Sequence, residues 1–365
     1  MTLSDYSSEY RMCDGARTSF LVQRDSAARQ GTARPMVGAA RARKDAKYRW
    51  RPSEDDPDCQ ALRKGRDTLP SSEVLQRSFC NRREGTTILI VGDSLQWELF
   101  LAFTNLFGAV PRAMCEAECD PPIDVCNWRN TAKRPAVVES VLCSQGTADS
   151  FTTVRFIGDS FLAGLGHEGV LGGSVQPSGR GQEHEQDLLT NHTACRWAPQ
   201  VVEADLIVLN LGVHPGLTVE THGRMLTAVL SKIAAMRSTA GLSPPSQSVV
   251  FRGSHAATAN CFELHDPLPA HGHDLAEYIR NVTRFAVGEF ENHEWELFEP
   301  KNLAARRVTQ LYGVPYFDTY FATSLRPGGR RPAFHDCLHY CLMPGGPVDL
   351  WNAALIGALE AKDAL

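Results

Sequence analysis

The sequence predicts an α/β fold, a mostly parallel sheet covered by helices. Three observations carry that reading. Short, continuous apolar runs recur along the chain. Segments with helical spacing of apolar residues follow several of them. Polar residues suited to chemistry stand just after the runs, where such sheets bind their ligands.

In chain order, residues 1–47 carry no apolar core of roughly 7–15 residues and hence no recognisable secretory signal. They are rich in Arg, Ser and Ala, and read as an unstructured tail, a truncated start or a mis-assigned exon ahead of one domain over 48–365. Residues 48–86 are polar and turn-rich, with Pro52, Pro57 and Pro70 as breakers. Thr87-Ile88-Leu89-Ile90-Val91 is β-branched and apolar throughout, as in a central strand buried on both faces. It ends in Gly92-Asp93-Ser94, and residues 95–107 then show helical spacing through Leu95, Leu99, Phe103 and Leu106. The alternation predicts strands at 154–157, 205–210, 248–252 and 314–317. It predicts helices at 219–237, 274–285, 302–312 and 349–361. The Gly-rich stretch 164–181 reads as a surface loop.

Composition narrows the function. The 365 residues allow one large domain or two smaller ones at about 150 residues per domain. With 43% hydrophobic and 22% charged residues, a wholly disordered or fibrous chain is excluded. A net charge of −5 supplies no basic field, so nucleic acid is not an expected partner. No apolar run approaches the ~18 residues of a membrane helix, so no membrane segment is expected in this chain. Eleven cysteines, an odd count, leave at least one unpaired if the others form disulfides. Asn-x-Thr sequons occur at 191–193 and 281–283. Cysteines and sequons together point to a secretory-pathway lumen.

Ser94 sits where a strand turns sharply into a helix. A hydroxyl there projects above the sheet beside a helix N-terminus able to stabilise an oxyanion. Asp-Ser before an apolar run is equally what helix capping requires, so nucleophile and cap both remain open. A second Gly-Asp-Ser, Gly158-Asp159-Ser160, is followed by glycines that argue against a helix, and it reads as a decoy. A serine nucleophile needs a base oriented by an acid. Asp336 and His339, three apart in a loop bounded by Pro and Gly, supply that pair. In the same segment His335, Cys337, His339 and Cys341 alternate and are zinc-ligand types, a rival reading. His271 and His273 beside Asp274 read as polar residues of a helix start. Asn210 ends the 205–210 strand and reads as an oxyanion donor or a turn cap. Arg252 ends another, and reads as a contact to an anion or carbonyl or as a surface salt bridge.

Several of these pieces, in this order, resemble a known family. They are Tyr48-Arg49-Trp50-Arg51-Pro52, Ile90-Val91-Gly92-Asp93-Ser94-Leu95, and Asp336-Cys337-Leu338-His339-Tyr340-Cys341-Leu342-Met343-Pro344-Gly345 with Asp349-Leu350-Trp351-Asn352. Asn210-Leu211-Gly212 with His214, and Phe251-Arg252 with His255 and Cys261, are similar to two intermediate blocks. Together they resemble the trichome-birefringence-like (PC-esterase) polysaccharide O-acetyltransferases over roughly 48–355, while Cys13-Asp14-Gly15 is faintly similar to an N-terminal element of that family. The resemblance implies an SGNH-hydrolase-like three-layer sandwich. It implies Ser94 as nucleophile, Asp336 and His339 completing a triad, and Gly92, Asp93, Asn210, Gly212 and Arg252 around the oxyanion and substrate. Family members are Golgi-lumenal, disulfide-bonded, glycosylated and anchored by an N-terminal helix. The chain departs from the family in Leu95-Gln96-Trp97-Glu98, where Ser-Arg-Asn is usual, and in Pro215-Gly216, where plant members carry tryptophans.

The implied activity is a double displacement: Ser94 takes an acetyl group from a donor and passes it to a glycan hydroxyl, with no metal or bound organic cofactor required. Hydrolysis of the same acetyl-serine would make the protein an esterase. A non-catalytic glycan-binding module on the same fold is the reading from another class.

Overall fold

The computed structural model describes residues 2–5, 48–51, 72–109, 111–113, 137–143, 151–162, 165, 197–212, 217–258, 261, 294–324, 337–340 and 347–363. A small antiparallel pair joins β1 (Thr2–Asp5) to β2 (Tyr48–Arg51). β1 falls within the segment read as a tail, the rest of which lies outside the described residues. The main body runs α1 (Ser72–Arg83), β3 (Thr87–Gly92), α2 (Ser94–Leu106), β4 (Arg112–Ala113), β5 (Val137–Leu142) and β6 (Thr152–Gly158). It continues through α3 (Ala198–Glu203), β7 (Leu206–Leu209), α4 (Val219–Thr239), α5 (Pro245–Ser248) and β8 (Val249–Arg252). A 3-10 turn (Trp295–Leu297), α6 (Phe298–Leu311), β9 (Tyr316–Phe317), α7 (Tyr320–Ser324) and α8 (Pro347–Asp363) complete it. No described helix is long and apolar enough to cross a membrane.

The seven-stranded sheet has the order β4-β5-β6-β3-β7-β8-β9. From β6 to β9 every pairing is parallel, and β5 runs antiparallel to both of its neighbours. β3 is central, with β6 on one side and β7 on the other. The chain fills one side of β3 before crossing to the other, which opens a crevice beyond the carboxyl end of β3. Side chains alternate along the strands, so each central strand feeds two cores. Ile88 and Ile90 of β3 pack with Leu99, Phe103 and Trp351 from α2 and α8. Leu89 and Val91 pack with Val201, Leu226 and Ala305 from α3, α4 and α6. Helices therefore cover both faces, and burial on both faces is why residues 88–91 of β3 have no polar position to alternate with.

Several elements depart from the sequence reading, α1 and β5 the largest of them in the main body. Residues 72–83, within the stretch read as turn-rich, form α1, which docks through a narrow stripe of Leu75 and Phe79 while much of its remaining surface is polar. Phe79 meets Phe103 edge-on at 5.2 Å, and a Cys80–Cys143 disulfide ties α1 to the end of β5. Glu139 and Ser140 interrupt the apolar run of β5, so its sequence lacks the pattern of a buried strand. Glu139 stands opposite Arg155 in the register and pairs with it at 3.0 Å. The expected helix at 274–285 lies outside the described residues, as does all but Leu165 of the Gly-rich stretch 164–181.

His222 of α4 is buried. Burial, reinforced by the Lys301 ammonium and opposed by a bond to the Leu211 backbone, pushes its imidazole from 6.5 down to about 3. The unfolded chain thus takes up this proton near 6.5, whereas the folded chain resists it until about 3. Stability should fall with pH across that window at up to about 1.4 kcal/mol per pH unit. Between pH 7 and 5 the wild type should lose about 2 kcal/mol more than His222→Gln, read from urea midpoints. Equal acid-side losses in the two proteins would contradict this account.

Candidate active site

The carboxyl end of β3 delivers Gly92, Asp93 and Ser94 in succession. Asp93 is the N-cap of α2, and its Oδ1 accepts from the Leu95 N–H at 2.8 Å. Its backbone carbonyl accepts the first intrahelical bond, from the Trp97 N–H at 2.9 Å. The cap is therefore the aspartate, and Ser94 is the first helical residue, with its half-buried hydroxyl beside the positive end of the helix dipole. The Ser94 Oγ lies 2.8 Å from His339 Nε2, a hydrogen bond across 245 residues of chain. The Ser94 N–H belongs to the first turn of α2, where N–H groups have no acceptor within the helix.

Gly92 is required by close approach. A Cβ at this position would meet Gln96 Cβ at 2.7 Å and the Asn210 carbonyl at 3.0 Å. Asn210 follows β7 and is buried. Its Nδ2 donates to the Arg252 carbonyl at 3.0 Å and to Ser254 Oγ at 3.2 Å, so both amide hydrogens are engaged. The Gly212 N–H likewise donates to the Ser160 carbonyl at 2.9 Å. Those bonds knit the ends of β6, β7 and β8 together.

The surface salt-bridge reading of Arg252 is corrected, because the side chain is fully buried beneath the first turn of α2. Its Nη1 donates to the Leu95 carbonyl at 2.8 Å, and its guanidinium lies 4.6 Å from the centre of the Trp351 ring. Burial pushes its pKa down to about 10, a shift opposed by the charges of Glu98 and Asp93. The side chain thus stays cationic at neutral pH. Ser160, the decoy, follows β6 in a different setting, where the adjacent Asp159 accepts from the Trp197 indole at 2.9 Å.

The segment carrying His339 is held from several directions. Cys337 is disulfide-bonded to Cys261. The Cys337 carbonyl accepts from the Thr258 N–H at 3.2 Å, and the Tyr340 hydroxyl donates to the Thr323 carbonyl at 3.0 Å. The disulfide removes a thiolate from the alternating His/Cys set of the zinc reading. Asp336, His335, Cys341, His271, His273 and His214 lie outside the described residues. The two disulfides among the described residues fit an oxidising, secreted or lumenal environment.

Sequence reasoning assigned no role to the residues that support this constellation, His255 and Trp351 foremost. Both stood in the quoted motifs, but a buried histidine after a strand looks like any other histidine until its partners are known. Neither a protein-family model nor a curated protein matches the chain. Chemically, the arrangement sets a hydroxyl against an imidazole at a helix N-terminus, the layout that lets a serine be deprotonated as it attacks a carbonyl.

Gly92→Ala should destabilise the fold by about 1–3 kcal/mol through overpacking against Gln96 and Asn210. Chemical denaturation reads this directly, and wild-type stability would contradict the close approach. Replacing Cys261 and Cys337 together by serine should cost about 2–5 kcal/mol of stability. If the thermal midpoint does not move, the disulfide is not what restrains the His339 segment.

Proposed function

We propose that the chain is a serine-dependent O-acetyltransferase that moves an acetyl group to a glycan hydroxyl in a secretory-pathway lumen such as the Golgi. The observation that carries this reading is the 2.8 Å contact between Ser94 Oγ and His339 Nε2 at the mouth of the central strand. The resemblance of the Ser94, Asn210, Arg252 and Asp336–His339 blocks to the trichome-birefringence-like family supplies the substrate class. A mostly parallel sheet with helices on both faces is compatible with an SGNH-hydrolase-like three-layer sandwich.

In the first half-reaction His339 Nε2 takes the Ser94 hydroxyl proton as Oγ attacks the carbonyl carbon of the acetyl donor. The Ser94 N–H and the α2 dipole stabilise the oxyanion, the donor's C–O bond breaks, and His339 returns the proton to the leaving oxygen. In the second, His339 takes the proton of a sugar hydroxyl, whose oxygen attacks the acetyl-serine carbonyl. The bond to Oγ breaks and the proton goes back to Ser94. Asp336, three residues before His339, orients the imidazole and stabilises its cationic form.

Ser94→Ala and His339→Ala should each lower turnover of a chromogenic acetyl ester by at least about 10²–10⁴-fold. A Ser94→Ala protein with full activity would reject the assignment. Supplying a labelled acetyl ester with and without oligosaccharides then separates the two acyl fates. Label appearing on the glycan supports the transferase. Free acetate alone, whatever glycan is offered, makes the protein an esterase.

A further inference from the structure

Arg252 and His255 connect the two halves of the site through one line of hydrogen bonds. Arg252 Nη1 donates to the Leu95 carbonyl at 2.8 Å, in the residue after Ser94. Arg252 Nη2 and His255 Nδ1 are 3.0 Å apart. His255 Nε2 lies 2.7 Å from the carbonyl of Leu338, the residue before His339. The donor pattern is forced. A guanidinium only donates, so Nδ1 must accept, and a carbonyl only accepts, so Nε2 must carry the proton. His255 is therefore the neutral Nε2–H tautomer, because a doubly protonated ring would set a donor against Arg252. Both side chains are fully buried. The Trp351 ring stacks on His255 at 5.0 Å and 16° while also lying under Arg252, and Tyr340 meets His255 edge-on at 5.4 Å.

We propose that Arg252 and His255 are positioning residues, a rigid strut that sets the spacing between Ser94 and His339. Neither touches the reacting atoms. The strut grips the backbone one residue past the hydroxyl and one residue before the imidazole, so its length determines whether Oγ and Nε2 stand within hydrogen-bond reach. Arginine is needed because its planar fork bonds two acceptors at once, which a single ammonium at the end of a flexible stem does not reproduce. Histidine is needed because it presents an acceptor and a donor at opposite edges of a flat ring that fits between Trp351 and Tyr340.

The strut rests on the acyl-transfer reading for its purpose and on geometry for its existence, so its test has a catalytic and a structural arm. The proteins are the wild type, His255→Phe, which keeps a stacking ring without nitrogens, His255→Gln, which keeps one acceptor and one donor, and Arg252→Lys. Each is checked for folding by circular dichroism. A fluorophosphonate then reports the labelling rate of Ser94, and p-nitrophenyl acetate reports kcat and KM. His255→Phe and Arg252→Lys should lower labelling and kcat about ten- to hundredfold with KM within about twofold of wild type, as expected for misplaced rather than missing groups. His255→Gln should stay within about threefold of wild type.

Crystal structures form the second arm: the Ser94–His339 separation should exceed hydrogen-bond reach in His255→Phe. A folded His255→Phe that labels at the wild-type rate overturns the strut, as does a His255→Gln no better than His255→Phe. Unfolding of both His255→Phe and Arg252→Lys while His255→Gln folds would reduce the pair to a stabilising role and also overturns it. If the wild type labels no faster than Ser94→Ala, the acyl-transfer reading fails and the crystal structures decide. The strut then stands if the separation opens in His255→Phe and falls if 2.8 Å is retained.

Discussion

Ser94 Oγ and His339 Nε2 stand 2.8 Å apart although 245 residues separate them in the chain. Closing a loop of that length costs only slightly more entropy than closing one half as long, because the cost grows with the logarithm of length. Fixing the two ends to within a few tenths of an ångström is the harder demand. The hydroxyl end is fixed by the sheet: β3 is hydrogen-bonded on both sides, and Asp93 caps α2 immediately beyond it. The imidazole end belongs to a short segment that is bend and isolated bridge rather than a strand of the sheet. It is tied instead by a disulfide, by Thr258 and Tyr340, and by His255.

A buried guanidinium is a costly way to join two loops, since an ionised side chain removed from water loses several kcal/mol of solvation. Arg252 recovers part of that through the Leu95 carbonyl, the His255 ring, the face of Trp351 and the fields of Glu98 and Asp93. An apolar side chain would fill the space without that cost, but it would bond neither loop. The arrangement favours a defined distance over maximal stability. That is the compromise expected where two groups must meet in one geometry.

The parts of the fold legible in sequence are those buried most uniformly. β3 and β7 are covered on both faces and read as apolar runs, and α4 carries an apolar stripe through Met225, Leu226, Val229, Leu230 and Ile233. β5 and α1 lie farther from the centre, mix polar with apolar positions and leave weaker periodicity. At the site, the strand-end rule placed Ser94, Asn210 and Arg252 on the correct edge of the sheet. It could not give side-chain direction. Whether an amide points into a cleft or back across the strand ends depends on acceptors such as the Arg252 carbonyl and Ser254 Oγ, which sequence spacing does not encode. Asp93 and Ser94 are both capping types, so only the Asp93 bond to Leu95 separates cap from hydroxyl.

The central claim is that the Ser94 hydroxyl becomes covalently acetylated under the influence of His339. Rapid acid quenching of the enzyme with an isotopically labelled acetyl donor, followed by peptide mass spectrometry, tests it most directly. The account predicts the labelled acetyl group on the peptide containing Ser94 within the first turnover, with none formed at that rate in His339→Ala. Acetyl label on another residue, or equal labelling with and without His339, would contradict it.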